Sequence, residues 1–309
     1  MNPITIDTIT QAVIDHGDGG ATHPRLYEIY TSLVTHLHAF VREVNLTEPE
    51  LQRGRDFLNR ASHHTQEIPD GEIHMLTDLL GISELVELLQ DANGGATEAN
   101  LQGPTYVPNP PQRCLGDRLG IDAEGEPLFV SGRVLDVQGQ AIANALVDVW
   151  QPSSKGLYDI QDPTQPAGNF RGQFRTNEDG NYSFETFVPK GYNVSASGPC
   201  GEALRLLGRH TWRAAHIHFK LSAPGYMPLT TQIFIDGDPH LESDTTFAVR
   251  SAIVKLQKHE SADALQAQQP SQPFYTTQFD FVLKPTETGN TSPSNEANIT
   301  NIEYAATGA

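Results

Sequence analysis

The stretch Arg213-Ala-Ala-His-Ile-His-Phe-Lys-Leu221 decides the fold of the second half of the chain, because it alternates apolar and polar residues. A period of two is typical of a β-strand, whose successive side chains point to opposite faces of a sheet. The opposite face to the apolar one carries His216 and His218 side by side. The apolar face is predicted to lie in the core and consists of Ala215, Ile217, Phe219 and Leu221.

The same period recurs along the rest of the second half, with turn-forming residues between the alternating segments. Many short strands joined by Gly, Pro and Asn turns are typical of a sandwich or a barrel. We predict an antiparallel β-sandwich. Besides the strand quoted above, its strands are predicted at 129–137, 145–150, 182–187, 229–236 and 274–283.

The first half has a helical period instead. One apolar stripe follows i, i+3, i+4, i+7 spacing over residues 26–44, and Thr47 with Glu50 reads as a capping box. The stripe predicts either an internal helix contact or a face for a second subunit. The predicted fold class is therefore α+β, with a helical domain over 1–100, a β-sandwich domain over 101–285 and a loose polar tail over 286–309.

The composition narrows the classes of function. The 309 residues carry 20 Lys and Arg against 38 Asp and Glu, which gives a formal net charge of −18 and a sequence pI near 4.9. This charge argues against nucleic acid and anionic membrane surfaces, which attract clustered basic residues. No run approaches the ~18 apolar residues of a membrane helix, and no signal peptide is recognisable. We expect a soluble, cytoplasmic protein without a membrane span.

His216 and His218 are candidate metal ligands, since imidazoles at i and i+2 of a strand lie on one face. The alternative is a pair of half-exposed strand histidines that bind no metal. The chain has only two cysteines, Cys114 and Cys200, which are too few for a thiolate site. Any metal must therefore be bound by nitrogen and oxygen.

Tyr158 and Tyr192 are candidate oxygen ligands, because each lies at the end of a predicted strand, near where a scaffold holds a site. A phenol has an ordinary pKa of about 10 and becomes a good ligand only when a strongly Lewis-acidic ion expels its proton. Two phenolates with two imidazoles suit ferric iron, whereas zinc with two histidines normally recruits Cys or carboxylate. The alternative is two buried aromatics with hydrogen-bonded hydroxyl groups.

One acidic turn invites a calcium interpretation. It lacks a glycine at the sixth position of a calcium loop, and Phe247 stands where a bidentate glutamate belongs. We therefore predict no calcium site there. The turn contains Asp236, Asp238, Glu242 and Asp244.

Several ordered motifs resemble the intradiol ring-cleavage dioxygenases, the family of the catechol and hydroxyquinol 1,2-dioxygenases. In the helical half, Leu76-Thr-Asp-Leu-Leu-Gly-Ile-Ser83 is similar to the linker domain of that family. The motifs of the second half are Gly132-Arg-Val-Leu-Asp136, Ala145-Leu-Val-Asp-Val-Trp-Gln151, Gly156-Leu-Tyr-Asp-Ile-Gln-Asp162, Arg171-Gly-Gln-Phe-Arg-Thr176, residues 207–219 and residues 231–239.

The resemblance implies a helical linker and dimerisation domain followed by a catalytic domain with one non-haem Fe(III) per subunit. It implies that substrate displaces Tyr192, that Arg213 stabilises charge developing on the substrate, and that Gln232 lies near the iron. The substrates would be a small aromatic diol and O₂. The iron ligands implied by the family are Tyr158, Tyr192, His216 and His218.

The family resemblance also implies a ring pocket. Asp78 could accept a hydrogen bond from an additional ring hydroxyl, and the motifs at 148–151 and 157–162 are more similar to the hydroxyquinol branch. The family usually has an aromatic residue in place of Thr105, Ile-Pro in place of Val194-Ser195, and Pro in place of Ala214. A larger and more polar pocket is therefore expected. Its predicted substrate-binding residues are Met75, Asp78, Leu101, Gly103, Pro104, Thr105, Val194, Ser195 and Arg213.

Three hypotheses follow. The first is an intradiol dioxygenase that converts hydroxyquinol (1,2,4-trihydroxybenzene) to maleylacetate, or catechol to cis,cis-muconate. Its alternative form is a catechol 1,2-dioxygenase whose pocket is broadened for substituted catechols. The second is a non-enzymatic prealbumin-like binding module, which the pattern over 132–149 would fit. The third is a zinc hydrolase that uses His216 and His218. The family also implies a homodimer through the N-terminal helices, with a phospholipid held between them.

Overall fold

The computed structural model describes residues 3–17, 23–64, 71–91, 95–260 and 273–286. These residues form two compact units, one up to Asp56 and the other from Phe57 to Thr286. The predicted loose tail over 286–309 lies outside the described residues except for Thr286, and the predicted domain boundary near residue 100 stays a prediction. Within the described ranges, no helix has the length and apolar character needed to cross a lipid bilayer.

The first unit is helical, as its sequence period predicts. It contains α1 (Ile9–Gly17), α2 (Pro24–Glu43) and the beginning of α3 (Glu48–His63). The Tyr30 hydroxyl on α2 donates to the Val13 carbonyl on α1 at 3.2 Å, which ties the two helices together. The capping box is confirmed, since the backbone N–H and the hydroxyl of Thr47 both donate to Glu50 Oε2, at 2.9 and 2.7 Å.

The apolar stripe on α2 is mostly exposed. Val34 is its one buried member among the described residues, whereas Leu33 and Leu37 are 55% and 51% exposed. The larger part of the stripe is therefore not covered by the described part of this chain.

The second unit combines short helices with many strands. The strands predicted at 129–137 and 145–150 are both present in this unit, with bounds that differ by one or two residues. The elements that follow α3 are α4 (Gly71–Leu79), α5 (Ile82–Asp91), β1 (Pro127–Asp136), β2 (Leu146–Trp150), β3 (Arg171–Arg175), β4 (Asn181–Phe187), β5 (Tyr192–Asn193), α6 (Pro199–Leu206), β6 (Trp212–Arg213), β7 (His216–Ser222), β8 (Leu229–Ile235), β9 (Ile253–Val254), β10 (Gln257–His259), β11 (Phe274–Gln278) and β12 (Phe281–Leu283).

Two five-stranded sheets are formed by these strands. One has the order β10-β11-β1-β12 with β4 also paired to β1, and the other has the order β3-β2-β7-β8-β9. Buried side chains of both sheets form one core, in which Val130 and Phe184 from the first sheet join Val147 and Phe219 from the second. A core shared by two sheets is the arrangement of a sandwich, and the α+β class is confirmed.

The sheets are mixed, so the prediction of a purely antiparallel sandwich is wrong in this respect. β1 runs parallel to both β11 and β12, and β8 runs parallel to β9. More than a hundred residues separate β1 from β11, so the chain has ample length for the crossover that a parallel pair requires. Hydrophobic alternation marks where strands lie but carries no information on their direction.

Candidate metal centre

β7 presents the two histidines to the centre of the site. Its apolar residues lie in the shared core, as predicted, and the other face turns His216 and His218 inward, where they are 0% and 1% exposed. The two Nε2 atoms lie 3.0 Å apart, and His218 Nε2 lies 3.0 Å from the Tyr158 hydroxyl oxygen. The alternative prediction of a half-exposed pair that binds no metal is therefore wrong about exposure, because both side chains are buried.

The tautomer of His216 leaves a lone pair on Nε2, the nitrogen that faces His218 Nε2. Its Nδ1–H donates to the Ala214 carbonyl at 2.6 Å, so Nε2 has no proton and faces the other donors. Burial, followed by the positive charge of Arg213, lowers the pKa of His216 to about 3. Burial likewise holds the pKa of His218 well below its usual value. Two neutral imidazoles that aim nitrogen atoms at one another fit a metal cation between them rather than a proton.

The tyrosines complete the donor set. Tyr158 is 1% exposed, its ring centroid lies 5.8 Å from that of Tyr192, and the Tyr192 ring lies 5.6 Å from that of His216. A Cβ at Gly156 would approach the Tyr192 Cβ to 2.9 Å, and Gly156 has a φ of +74°, so glycine is required for these two segments to meet.

This donor set fits a hard trivalent cation. Burial, followed by the neighbouring Tyr192, raises the pKa of the Tyr158 hydroxyl well above its usual value, so only a strongly Lewis-acidic ion would ionise it there. No group of three or more His, Cys, Asp and Glu side chains with metal-binding geometry occurs in the described ranges. The site therefore offers imidazole and phenol oxygen, a combination suited to ferric iron.

Arg213 lies against the candidate ligands. Arg213 is 5% exposed and, on β6, lies opposite Tyr192 of β5. Its Nη1 lies 3.4 Å from His216 Nε2. Its Nη2 donates to Gln232 Oε1 at 3.0 Å, while the Gln232 amide nitrogen donates to the Leu101 carbonyl at 2.7 Å. Gln232 thus connects the arginine to the segment that forms one wall of the pocket.

A cavity of about 670 Å³ opens beside these residues. Its size is within the ordinary range for a small-molecule site. Every residue predicted to bind substrate lies on the wall of this cavity, and so do Tyr192 and His218. Tyr158, His216 and Gln232 do not line the cavity, but each contacts a residue that does. The predicted residues on the wall are Met75, Asp78, Leu101, Gly103, Pro104, Thr105, Val194, Ser195 and Arg213.

Sequence reasoning missed six further residues of the wall. Leu157 and Ile160 flank Tyr158 in the motif at 156–162, and His74 lies one helical turn before Asp78, so proximity along the chain could have found them. Thr246 lies outside the family motifs, next to the acidic turn, and no local signal indicates that it lines a pocket. The missed residues are His74, Leu157, Ile160, Gln161, Asn193 and Thr246.

Asp78 is the acidic residue of the pocket wall. It is 7% exposed, and its Oδ1 has no hydrogen-bond partner among the residues that the structure describes. His74 Nε2 lies 3.8 Å from the other carboxylate oxygen. Burial raises the pKa of Asp78 above its usual value of 3.8. Because Asp78 lines the cavity, its carboxylate lies where a hydroxyl group of a ligand can donate to it.

Comparison with known proteins agrees with this geometry. The family model described as catechol dioxygenase N terminus matches residues 23–97, and the dioxygenase model matches residues 101–285. A 6-chlorohydroxyquinol 1,2-dioxygenase of Cupriavidus pinatubonensis is 40% identical over 85% of this chain and 91% of its own length. A hydroxyquinol 1,2-dioxygenase of a Rhizobium species is 38% identical over 84% of this chain and 89% of its own length.

Solved structures give the same result. The crystal structure of hydroxyquinol 1,2-dioxygenase from Pseudomonas putida superposes with a TM-score of 0.84 and 38% identity, over 91% of this chain and 99% of that one. The chain belongs to the intradiol ring-cleavage dioxygenases, a family of enzymes that use non-haem iron. The predicted likeness to the hydroxyquinol branch is confirmed. The binding module and the zinc hydrolase are thereby set aside.

Proposed function

We propose that this enzyme cleaves hydroxyquinol between its adjacent hydroxyl-bearing carbons to give maleylacetate, with Fe(III) held by Tyr158, Tyr192, His216 and His218. The observation that carries the proposal is the convergence of three donor atoms at the edge of the cavity. His218 Nε2 lies 3.0 Å from His216 Nε2 and 3.0 Å from the Tyr158 oxygen. When bound, the ferric ion would supply Lewis acidity and a template for the diol, which activates the ring toward O₂.

The chain's own residues account for the remaining requirements. Tyr192, one of the four residues that would hold the ion, would accept the proton of the second hydroxyl group of the diol at its phenol oxygen. The Arg213 guanidinium, which neighbours Tyr192, stabilises the negative charge that develops on the ring oxygens. Gln232 fixes that guanidinium through its Oε1. The burial of the histidines and of Tyr158 excludes water from one side of the reacting ring.

Asp78 supports hydroxyquinol over catechol as the preferred substrate. Asp78 is the one carboxylate among the residues that line the cavity, so a third ring hydroxyl would have an acceptor there that catechol cannot use. Thr105 and Ser195 add hydroxyl groups to the same wall, which supports tolerance of further polar substituents. Cleavage of catechol to cis,cis-muconate in a broadened pocket is the second candidate.

A direct test combines colour with turnover. The iron-loaded protein should be wine-red because of a broad tyrosinate-to-iron absorption band, and it should consume O₂ with hydroxyquinol. The product should contain both atoms of isotopically labelled O₂. A folded protein that stays colourless when supplied with iron would contradict the metal site. A coloured protein that prefers catechol to hydroxyquinol would contradict only the substrate.

We also infer a homodimer through the N-terminal helices, with a phospholipid between them. The exposed stripe on α2 supports a second apolar surface over it. Light scattering should give twice the monomer mass, and lipid extraction should release a phospholipid. A cytoplasmic location is supported by Cys114 and Cys200, both of which are free.

A further inference from the structure

The acidic turn that does not fit calcium contains one buried carboxylate. Asp244 is 4% exposed, whereas the side chains of Asp236 and Glu242 in the same turn are exposed. Its Oδ2 accepts the backbone N–H of Ala214 at 2.9 Å, and its Oδ1 accepts the hydroxyl of Thr246 at 2.7 Å. A carboxylate with this many donors is held in one orientation.

The remaining donor to Asp244 is Arg213. The arginine Nε lies 3.4 Å from Oδ1 and 3.3 Å from Oδ2, and both side chains are almost fully buried. Because Nη2 is bound to Gln232 and Nη1 lies near His216, the Asp244 contact is at the third edge of the guanidinium. Among the described residues, Asp244 is the one carboxylate within ion-pair distance of this guanidinium, although Asp78 and Glu84 also interact with its charge.

The turn around Asp244 is itself fixed. Phe247 ends it with a left-handed backbone, φ 61°, which is rare for a bulky residue and persists only where neighbours enforce it. Arg209 lies over the Phe247 ring at 4.9 Å and donates from Nη2 to the Thr245 carbonyl at 2.8 Å. The Phe247 N–H donates back to the Asp244 carbonyl at 3.0 Å.

We propose that Asp244 is a positioning residue for the reaction: it holds the Arg213 guanidinium against Tyr192 and His216, so that its charge faces the bound diol. The inference rests on the proposed function of Arg213. Asp244 also bonds the backbone of Ala214, so one carboxylate fixes the arginine and the peptide that leads into the histidine strand. Misplacement of a charged group by about 1 Å can cost on the order of 100-fold in rate.

The test is a double-mutant cycle on the iron-loaded enzyme with Arg213→Lys, Asp244→Asn and the double variant. Asp244→Asn should lower kcat about 10- to 100-fold with a much smaller change in KM. Iron content and the position of the visible band should stay at the values of the unaltered enzyme. In the Arg213→Lys background, Asp244→Asn should have almost no further effect, because it acts through the arginine. Glu242→Gln is the matched control from the same turn and should leave kcat unchanged.

Each outcome decides a different point. Equal losses from Asp244→Asn in both backgrounds would overturn the inference, since a merely structural role is additive. A normal kcat for Asp244→Asn beside a strongly impaired Arg213→Lys would also overturn it, while the proposed function would stand. A normal kcat for Arg213→Lys would instead contradict the role of the arginine. If Asp244→Asn fails to fold, Thr246→Val replaces it, and its effect should likewise vanish in the Arg213→Lys background.

Discussion

The imidazole of His218 lies flat against the indole of Trp150, with ring centroids 4.6 Å apart and planes within 6°. The two residues are paired across β2 and β7, so the register of the sheet sets this stack. His216 is oriented by its bond to the Ala214 carbonyl, whereas His218 Nδ1 has no hydrogen-bond partner among the described residues. Besides the Nε2 contacts to His216 and Tyr158, it is therefore the indole face that fixes the plane of the His218 ring.

Trp150→Leu should accordingly weaken both the fold and the metal site. Removal of a fully buried indole costs roughly 3 kcal/mol in the free energy of unfolding, and a loosened His218 ring should lower the iron content. Thermal melting and metal analysis measure the two effects. Trp212, which stacks on His240 at 6° but is 38% exposed, offers a matched control. Trp212→Leu should keep its iron; equal iron loss in both variants would refute the explanation.

The two candidate tyrosine ligands should differ in their variants. Tyr158 is fully buried between His218 and Tyr192, so Tyr158→Phe should lose the visible band and most of the iron. Tyr192 is half-buried at the pocket wall, and Tyr192→Phe should keep some iron with a shifted band but lose most of its turnover. Absorption spectra, metal content and O₂ consumption distinguish the two.

Tyr182→Phe is the control for both tyrosine variants. Tyr182 is as buried as Tyr158, but its hydroxyl donates to the Phe279 carbonyl away from the site, so its loss should change stability and leave colour unaltered. Undiminished turnover by Tyr192→Phe would show that this residue is not the base that the incoming diol releases.

Asp78→Asn should lower activity and raise stability together. Burial raises the pKa of Asp78, so the folded state binds this proton more tightly than the unfolded state does. Stability is therefore lost as pH rises from the ordinary value of 3.8 through the raised value, and the ionised group is a cost at neutral pH. The amide removes that cost, and the melting temperature at pH 7 should rise.

Asp78→Asn should also weaken the preference of the enzyme for hydroxyquinol over catechol. A carboxylate that accepts a hydrogen bond from a ring hydroxyl contributes about 1.5–3 kcal/mol, so kcat/KM for hydroxyquinol relative to catechol should fall at least tenfold. In the unaltered enzyme, the preference should also decline as pH falls through the raised pKa. An unchanged ratio of the two kcat/KM values would exclude Asp78 as the contact to the third hydroxyl.

Local patterns predicted what depends on local order along the chain. The alternation of residues 213–221 predicted the strand, its core face and the neighbouring histidines, and the Thr47–Glu50 spacing predicted the start of α3. Contacts between residues that are far apart in the sequence leave no such local pattern. The Asp244 contact to Arg213 joins residues 31 positions apart, and the parallel direction of β11 depends on where a long crossover returns. Trp150 lay within a recognised motif, yet its stack on His218 follows from sheet register alone.

The close approach of β1 to the segment between β11 and β12 gives a last prediction. A Cβ at Gly132 would lie 1.8 Å from the Phe279 carbonyl oxygen, which belongs to backbone and cannot move aside as a side chain end would. Gly132→Ala should therefore lower the free energy of unfolding by about 3 kcal/mol, or prevent folding. Gly54, within α3, has nothing within 4 Å of its added Cβ. Gly54→Ala should stabilise the protein by roughly 0.5–1 kcal/mol through helix propensity. Denaturant titration of the two variants should move the midpoint in opposite directions, and a Gly132→Ala midpoint equal to that of the unaltered chain would contradict this packing of β1.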